Sequence, residues 1–370
     1  MSKSFDVCIR GGGVVGRTLA LLLARERLRV ALVAPAPSQA AASDVRAYAL
    51  NGASRRVLEG LRAWPDAALA TPVTHMRVWG DDGGALNFNV PVAASGASPA
   101  ALAWIVDVPA LEQQLHEACR YQGQIEILDA PATAALTVIC EGQKSHSRSE
   151  FATGWSHKPY PQKAIAARLH TELAHHGVAR QWFSGGDILA LLPMEGPNGN
   201  SVALVWSVSA ARADVLENMS LDAFCAELHS LCGLETGALR LSSDRSSWPL
   251  ALSQADHWVG PGWALAGDAA HTVHPLAGQG LNLGLADAAC LASVIAAREY
   301  WRGLGDEKLL RRYERARKGD TAAVGAVTDG LHNLFAQQSA PWQALRNWGM
   351  KGFAASTPLK NWLAQRAAGL

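Results

Sequence analysis

Charge is what this 370-residue sequence has least of. Only 18% of its residues are Asp, Glu, Lys or Arg, against 49% apolar, where a globular chain ordinarily carries about a quarter charged. Such a balance implies a large interior, a substantial interface, or both. Its 33 basic side chains nearly cancel 32 acidic ones, leaving a net charge of +1. That excludes the basic stripe of a nucleic-acid binder, so no nucleic-acid partner is expected. Cysteine is sparse: Cys8, Cys119, Cys140, Cys225, Cys232 and Cys290 are scattered with no C-x-x-C spacing. This excludes a zinc or disulfide framework and fits reduced, mostly buried thiols in a cytoplasmic protein. No Ser/His/Asp arrangement and no metal-spaced cluster stands out, and there is no internal repeat. No apolar run approaches bilayer-spanning length. The first strand begins too close to Met1 for a signal peptide. The length suits two intimately joined domains, or one large one, with ample core.

Glycine is what the chain does have, in two clusters. Asp6-Val7-Cys8-Ile9-Arg10 reads as a strand, Gly11, Gly13 and Gly16 follow in G-x-G-x-x-G spacing, and Val15 to Glu26 continues with helical apolar periodicity through Leu19, Leu22 and Leu23. Leu28 to Val33 is a second β-rich run. In such a unit Gly11 permits the tight turn, Gly13 lets the backbone approach a pyrophosphate, and Gly16 lets helix and strand pack closely. The helix N-terminus, from Val15, supplies free N–H groups and positive partial charge for phosphates. Two departures stand out. The second strand ought to end in an acid for the adenosine ribose, yet Leu32-Val33-Ala34-Pro35 places alanine there. Arg10 occupies an ordinarily apolar strand position. Either it snorkels or pairs at the strand end, or Arg10 or Arg17 holds the adenosine or phosphate end in place of the missing carboxylate.

The second cluster lies far downstream. Trp263-Ala264-Leu265-Ala266 reads as a short strand delivering Asp268 at its C-terminal end, within Gly267-Asp268-Ala269-Ala270-His271. An ionised carboxylate there accepts hydrogen bonds from a sugar-like chain. Pro275 to Asn282, with Gly278 and Gly280, is a glycine-rich turn opening a helix from Leu281 to Ala296.

At this point the residues resemble a known family, the single-component flavoprotein aromatic hydroxylases, and more narrowly the ubiquinone-biosynthesis hydroxylases. The Asp-Ala-Ala-His…Pro…Gly-Gln-Gly-Leu-Asn run is similar to their second flavin motif. Asp44-Val45-Arg46-Ala47-Tyr48-Ala49-Leu50 is similar to their Asp-x-Arg-x-x-Ala-Leu, and Glu141-Gly142-Gln143-Lys144-Ser145-His146-Ser147-Arg148 to their Asp-Gly-x-x-Ser-x-x-Arg. Leu189 to Pro193, Val202 to Trp206, Trp248-Pro249-Leu250 and Thr328-Asp329-Gly330-Leu331 look like further landmarks, so the resemblance spans nearly the whole chain.

The resemblance implies one FAD gripped from two ends. Gly11, Gly13, Val15 and Gly16 would face its pyrophosphate, and Asp268 its ribityl chain. Pro275, Gly278, Gly280, Leu281 and Asn282 would lie on its pyrimidine side, where the helix dipole favours anionic charge. Arg46 would lie beside the isoalloxazine, and Glu141 near the pyrophosphate and the NAD(P)H donor. Glu141 stands where the family has aspartate. The stretch between Ile127 and Cys140 is short where the family carries extra strands, a loss expected to thin one sheet. The implied chemistry is aromatic hydroxylation by molecular oxygen through a flavin C4a-hydroperoxide, with Arg46 as the principal catalytic-environment residue. His271 is either a proton-transfer group or a structural one, as is His274.

The expected architecture is α/β: a Rossmann-like FAD-binding domain of the p-hydroxybenzoate-hydroxylase type, an inserted β-sheet substrate domain and C-terminal helices. Its segments are 1–72, 103–150 and 262–336 for FAD, 73–102 and 151–261 for substrate, and 337–370 at the C-terminus. Pro109 to Arg120 is expected as a helix and Ile125 to Leu128 as a strand. A helix around Leu221 to Cys232 should cover the inserted sheet, and Trp79, Trp104, Trp182, Phe183 and Trp206 are candidate pocket walls or plain core. Pro341 to Leu370 is basic and amphipathic, either a packed helical hairpin or a peripheral contact with the inner membrane or a multi-enzyme assembly. The leading reading is a hydroxylase of a ubiquinone precursor, an aromatic and possibly polyprenylated substrate class. The alternatives are a flavin monooxygenase of secondary metabolism, and a degenerate non-catalytic scaffold of a quinone-biosynthesis assembly.

Overall fold

The computed structural model describes residues 4–34, 44–80, 85–90, 101–151, 154–273 and 279–336. Pro275 and Gly278, with His274 and the basic segment Pro341 to Leu370, lie outside the described residues.

The chain begins with β1 (Phe5–Arg10), α1 (Val14–Arg25) and β2 (Val30–Val33), a strand–helix–strand unit in which β1 and β2 pair in parallel. Val7, Cys8 and Ile9 are buried on both faces of β1, as a strand central to a parallel sheet must be. After β3 (Ala47–Leu50) comes α2 (Gly52–Gly60), capped by Asn51, whose side chain accepts from Ser54 N. Then follow β4 (Ala70–Val73), β5 (His75–Trp79), β6 (Ala85–Asn89) and β7 (Ala103–Asp107). Helix α3 (Val108–Arg120) starts on the Asp107 cap with Pro109 in its first turn, both strong start signals. Next are β8 (Ile125–Leu128) and β9 (Ala134–Ile139).

The central sheet adds β16 (Val259–Gly260) and β17 (Trp263–Leu265), giving six strands in the order β16-β17-β9-β1-β2-β8. The connection 129–133 carries no strand, and β9 follows it before Cys140. That strand lies directly beside β1, pairing Val7 with Leu136 and Ile9 with Val138.

A second sheet of nine strands is built largely from the middle of the chain. It contains β10 (Trp155–Thr171), β11 (Val178–Ser184), β12 (Asp187–Met194), β13 (Ser201–Ser209), β14 (Leu239–Leu241), β15 (Ser246–Ala255) and β18 (His271–Thr272), together with β5 and β6. Helices α4 (Ala210–Asn218) and α5 (Leu221–Thr236) pack on one face of it, burying Trp206, Phe224, Leu228 and Cys232 with Ile165 and Leu204. The expected covering helix is α5. A third sheet has three strands in the order β3-β7-β4.

Helices α6 (Gln279–Ala296) and α7 (Glu307–Ala336) complete the described residues. The landmark at Thr328 to Leu331 falls within α7. Contrary to the sequence expectation about apolar length, α6 has 18 residues at a mean hydropathy of 1.3, enough by length and composition to cross a bilayer. Its apolarity has another cause. Leu285, Ala288, Leu291 and Ile295 are buried in the same core as Leu19, Leu23, Leu310 and Tyr313 from α1 and α7.

Candidate active site

Three parallel strands deliver the site. From β1 the chain goes to β2 on one side, and later returns as β9 and β17 on the other. The gap between β1 and β9 is therefore the point where the winding reverses, and ligands of open α/β sheets bind outside the strand carboxyl ends at such a point. Gly11 follows β1, Cys140-Glu141-Gly142 follows β9, and Gly267-Asp268 follows β17, all at this same end. The glycine clusters, so distant in sequence, touch here. A Cβ on Gly284 would lie 2.7 Å from Val15 Cγ2, and one on Gly267 would lie 3.3 Å from the same atom. One cavity is bordered by Gly13, Val14 and Val15 from the first cluster and by Ala266, Asp268, Gly280 and Leu281 from the second.

Each glycine of the first turn has a distinct duty. Gly11 has φ +115°, and a Cβ there would lie 2.4 Å from the carbonyl oxygen of Cys140. A Cβ on Gly16 would lie 1.9 Å from the carbonyl oxygen of Gly11, so helix and turn are in backbone contact. Gly13 is different: nothing lies within 4 Å of its would-be Cβ. It caps α1 without a side-chain hydrogen bond, leaving the first-turn N–H groups free toward the cavity.

The second turn is held by charge. Asp268 sits on the 3-10 turn Gly267–Ala269, faces the cavity and makes no hydrogen bond among the described residues. The enclosing protein pushes its carboxyl above the usual carboxylate range, with Arg46 and His271 opposing. Behind it, Asp287 of α6 is fully buried. Its Oδ2 accepts from Gly267 N at 3.0 Å and meets His271 Nε2 at 2.6 Å, and its Oδ1 accepts from Arg317 Nε at 2.7 Å. Burial alone would raise the Asp287 carboxyl, but His271 and Arg317 outweigh it and hold the group below its ordinary value. The His271 ring stacks on Trp258 with centroids 4.8 Å apart. His271 is 2% exposed and does not border the cavity. Of its two expected roles, this placement favours the structural one.

Arg46 borders the cavity, and its guanidinium grips Asp44 in a two-point pair, Nε–Oδ1 2.9 Å and Nη2–Oδ2 2.6 Å. That hydrogen-bonded partner raises its pKa still further. The neighbouring Tyr48 also borders the cavity. Glu141 turns away. Its carboxylate accepts from Ser145 Oγ at 2.8 Å, Ser147 N at 3.0 Å and Ser147 Oγ at 2.6 Å. Burial would raise its pKa, yet the bonds from Ser147 and Ser145 win and lower it. Glu141 thus braces its own loop, while Gly142 and Gln143 reach the cavity. Arg148 joins this loop to the second turn by donating to the carbonyl oxygen of Ala269 at 3.1 Å, and lies over the Trp155 ring. The Asn282 side chain is likewise occupied: it accepts from Asn51 N and Ser54 Oγ and donates to Ala49 O. It pins α6 to the β3–α2 junction, and the backbone of Gly280 and Leu281 is what faces the cavity.

Residues 93–327 match the family model described as an FAD binding domain. The chain belongs to this flavoprotein family. Over 99% of its length it is 32% identical to the ubiquinone hydroxylase UbiL of Rhodospirillum rubrum, covering 90% of that protein. It is 29% identical over 99% of its length to the 3-demethoxyubiquinol 3-hydroxylase of Escherichia coli, covering 98% of it. Among solved structures, PqsL, a probable FAD-dependent monooxygenase from Pseudomonas aeruginosa, superimposes with a TM-score of 0.76 at 22% identity, covering 90% of this chain and 97% of that one.

The flavoprotein's cavity fits FAD on its own evidence. The uncapped α1 N-terminus and the open space off Gly13 suit a pyrophosphate, and the unpaired Asp268 carboxylate suits a polyhydroxyl chain. The roof comes from Trp248, Pro249, Leu250 and Ala251 of β15. The five candidate aromatic walls are elsewhere. Trp79 stacks on Trp182 at 4.7 Å, Trp206 packs on Phe224, Phe183 is buried with Val78 and Ile188, and Trp104 packs on Trp64 and beneath Arg55. Tyr48 and Trp248 are the aromatic residues bordering the cavity, and the signal for them was their place inside family-like motifs. An adjoining, mainly apolar hollow shares Gln143, Pro249, Leu250 and Ala251 and adds Lys144, Trp155, His157 and Pro159.

Proposed function

We propose that this protein is an FAD-dependent monooxygenase that hydroxylates the aromatic ring of a ubiquinone precursor, with NAD(P)H as electron donor. The observation that carries the reading is the meeting of both glycine turns and Asp268 on a single cavity roofed by β15. When bound, FAD supplies the redox chemistry that activates molecular oxygen for transfer to an electron-rich ring. The chain's own work is to bind, orient and insulate. The α1 N-terminus holds the pyrophosphate. Asp268 accepts from ribityl hydroxyls. The first turn of α6, at Gly280 and Leu281, offers backbone N–H groups and positive dipole to the pyrimidine side, where reduction places negative charge. Trp248, Pro249, Leu250 and Tyr48 keep water from the reacting face. The adjoining apolar hollow gives a prenyl tail a surface to lie on. The loop from Gly142 to Arg148 is the candidate donor side.

This reading assigns segments 1–72, 103–150 and 262–336 to FAD and 73–102 and 151–261 to substrate, with association at the inner-membrane surface. Purified protein tests it. Stoichiometric FAD and NAD(P)H consumption on addition of a phenolic polyprenyl precursor, with a hydroxylated product, is the expected result. Absence of FAD after reconstitution would favour the scaffold alternative, and turnover of only unprenylated aromatics the secondary-metabolism one.

A further inference from the structure

Ala34, directly after β2, stands where the adenosine end would be met by a carboxylate. Two arginines stand near enough to compensate, and the structure separates them. Although its Nε, like that of Arg17, is buried without a partner, Arg10 is occupied at its tip: its Nη1 pairs with Glu150 at 2.5 Å and donates to Ser147 at 3.1 Å. Arg17 is not. It is 9% exposed, its Nε is buried without a partner, and its side chain makes no hydrogen bond among the described residues.

Its position is unfavourable on two independent counts. Arg17 lies in the first turn of α1, its N–H bonded to the carbonyl of the Gly13 cap, where the helix dipole repels a cation. It is also desolvated, and a buried charge without a partner costs folding free energy. Glu112, which borders the cavity, opposes the effect of burial on its pKa through space but forms no ion pair with it. A bound anion at the α1 N-terminus would satisfy the guanidinium and the dipole together. The guanidinium is aimed there: a Cβ on Gly12 would sit 3.7 Å from Arg17 Nη2 and 2.3 Å from Ala34 Cβ. Arg17 therefore flanks the phosphate turn on the side where the missing acid would have been.

We infer that Arg17 takes over the adenosine end, donating to oxygens of the ADP half of FAD where related sites present an acid to the ribose. The inference rests on the FAD reading above, and its test is separable from that reading. ADP carries the half in question and no flavin, so calorimetric binding of ADP and FMN to the apoprotein, beside fluorimetric binding of FAD, isolates it. Arg17→Met should weaken FAD and ADP about 10- to 100-fold, the worth of a charge-assisted hydrogen bond, and leave FMN within about 3-fold. The thermal midpoint of the apoprotein should hold or rise, because a buried unpaired cation has gone. Arg17→Lys should recover part of the ADP affinity, and that part should fall with added salt. Equal losses for FAD, ADP and FMN, unchanged ADP binding in Arg17→Met, or, should Arg17→Met not fold, an Arg17→Lys whose ADP and FMN affinities fall together would each overturn it. Failure of the wild-type protein to bind FAD at all would instead overturn the cofactor reading.

Discussion

The two glycine turns that meet at the cavity are held by opposite means. The first is fixed by backbone against backbone, Gly16 on Gly11 and Gly11 on Cys140, with no ionised group in the contacts. The second hangs from a buried carboxylate, Asp287, shared among Gly267 N, His271 and Arg317 on three separate segments. Steric contact is indifferent to pH and intolerant of a methyl group. A charge hub tolerates small changes of shape but not the loss of its centre. The site thus has one rigid jaw set by excluded volume and one set by electrostatics. Only the second can be tuned from outside the cavity, through α6 and α7.

Removing the centre of the hub should produce the largest effect. Asp287→Ala leaves His271 buried without its partner and Arg317 with only the exposed Asp320 and the Leu283 carbonyl, and breaking a buried pair from one side costs about 3–5 kcal/mol. Chemical denaturation should show that loss at neutral pH. Asp287 titrates below its ordinary value in the folded state. Its contribution is therefore present above the unfolded carboxylate value of about 3.9 and lost as pH falls through the folded value. The gap between variant and wild type should narrow in acid, and a gap constant from pH 7 to pH 3 would refute the electrostatic account.

The steric jaw gives the next effect. Gly16→Ala forces a methyl group onto the Gly11 carbonyl oxygen, an overpacking expected to cost about 1–3 kcal/mol at every pH. Gly13→Ala is its control. Gly13 has φ −76°, ordinary for alanine, and open space at its Cβ. Folding stability should move by less than about 1 kcal/mol, because a gain in chain stiffness offsets a poorer cap. FAD affinity should fall sharply all the same, because the methyl group occupies the cavity. Equal melting shifts for the two variants would mean that the turn is not held by contact.

How much of this was legible follows from the same contrast. The first jaw is local in sequence: strand, G-x-G-x-x-G and helix lie within one short stretch, and the parallel β1–β2 pairing with α1 between them follows from it. Asp268 was legible as a carboxylate at a strand's end. The hub was not, since its members are distant in sequence, yet one signal was present. Asp287 is the sole Asp, Glu, Lys or Arg in the apolar helix α6, and a lone charge in a core helix demands a buried partner. The resemblance places Glu141 near the pyrophosphate and the donor, but motif matching fixes position, not the direction of a side chain. Ser145 and Ser147, four and six positions on in the same motif, capture the Glu141 carboxylate. The pocket walls failed for a related reason. Alternation along a strand cannot say which face meets α4 and α5 and which meets the flavin side, so Trp206 was indistinguishable from Trp248.

The smallest effect on stability is the most informative about function. Asp268 is exposed to the cavity, and the protein packed around it pushes its carboxyl above the usual range, so its charge mildly opposes folding when no ligand is bound. The sign is the reverse of that for Asp287. The cost is absent below the unfolded value of about 3.9 and fully present once pH exceeds the raised folded value. Asp268→Asn should therefore leave the apoprotein at least as stable as wild type at neutral pH, by a margin that solvent in the open cavity keeps small, with any advantage vanishing near pH 4. The same change removes a charged acceptor for hydroxyl donors and should weaken FAD about 10- to 100-fold. Opposite signs for folding and for binding are what a residue kept for its ligand must show. A variant that lost both together would make Asp268 one more strut of the second jaw.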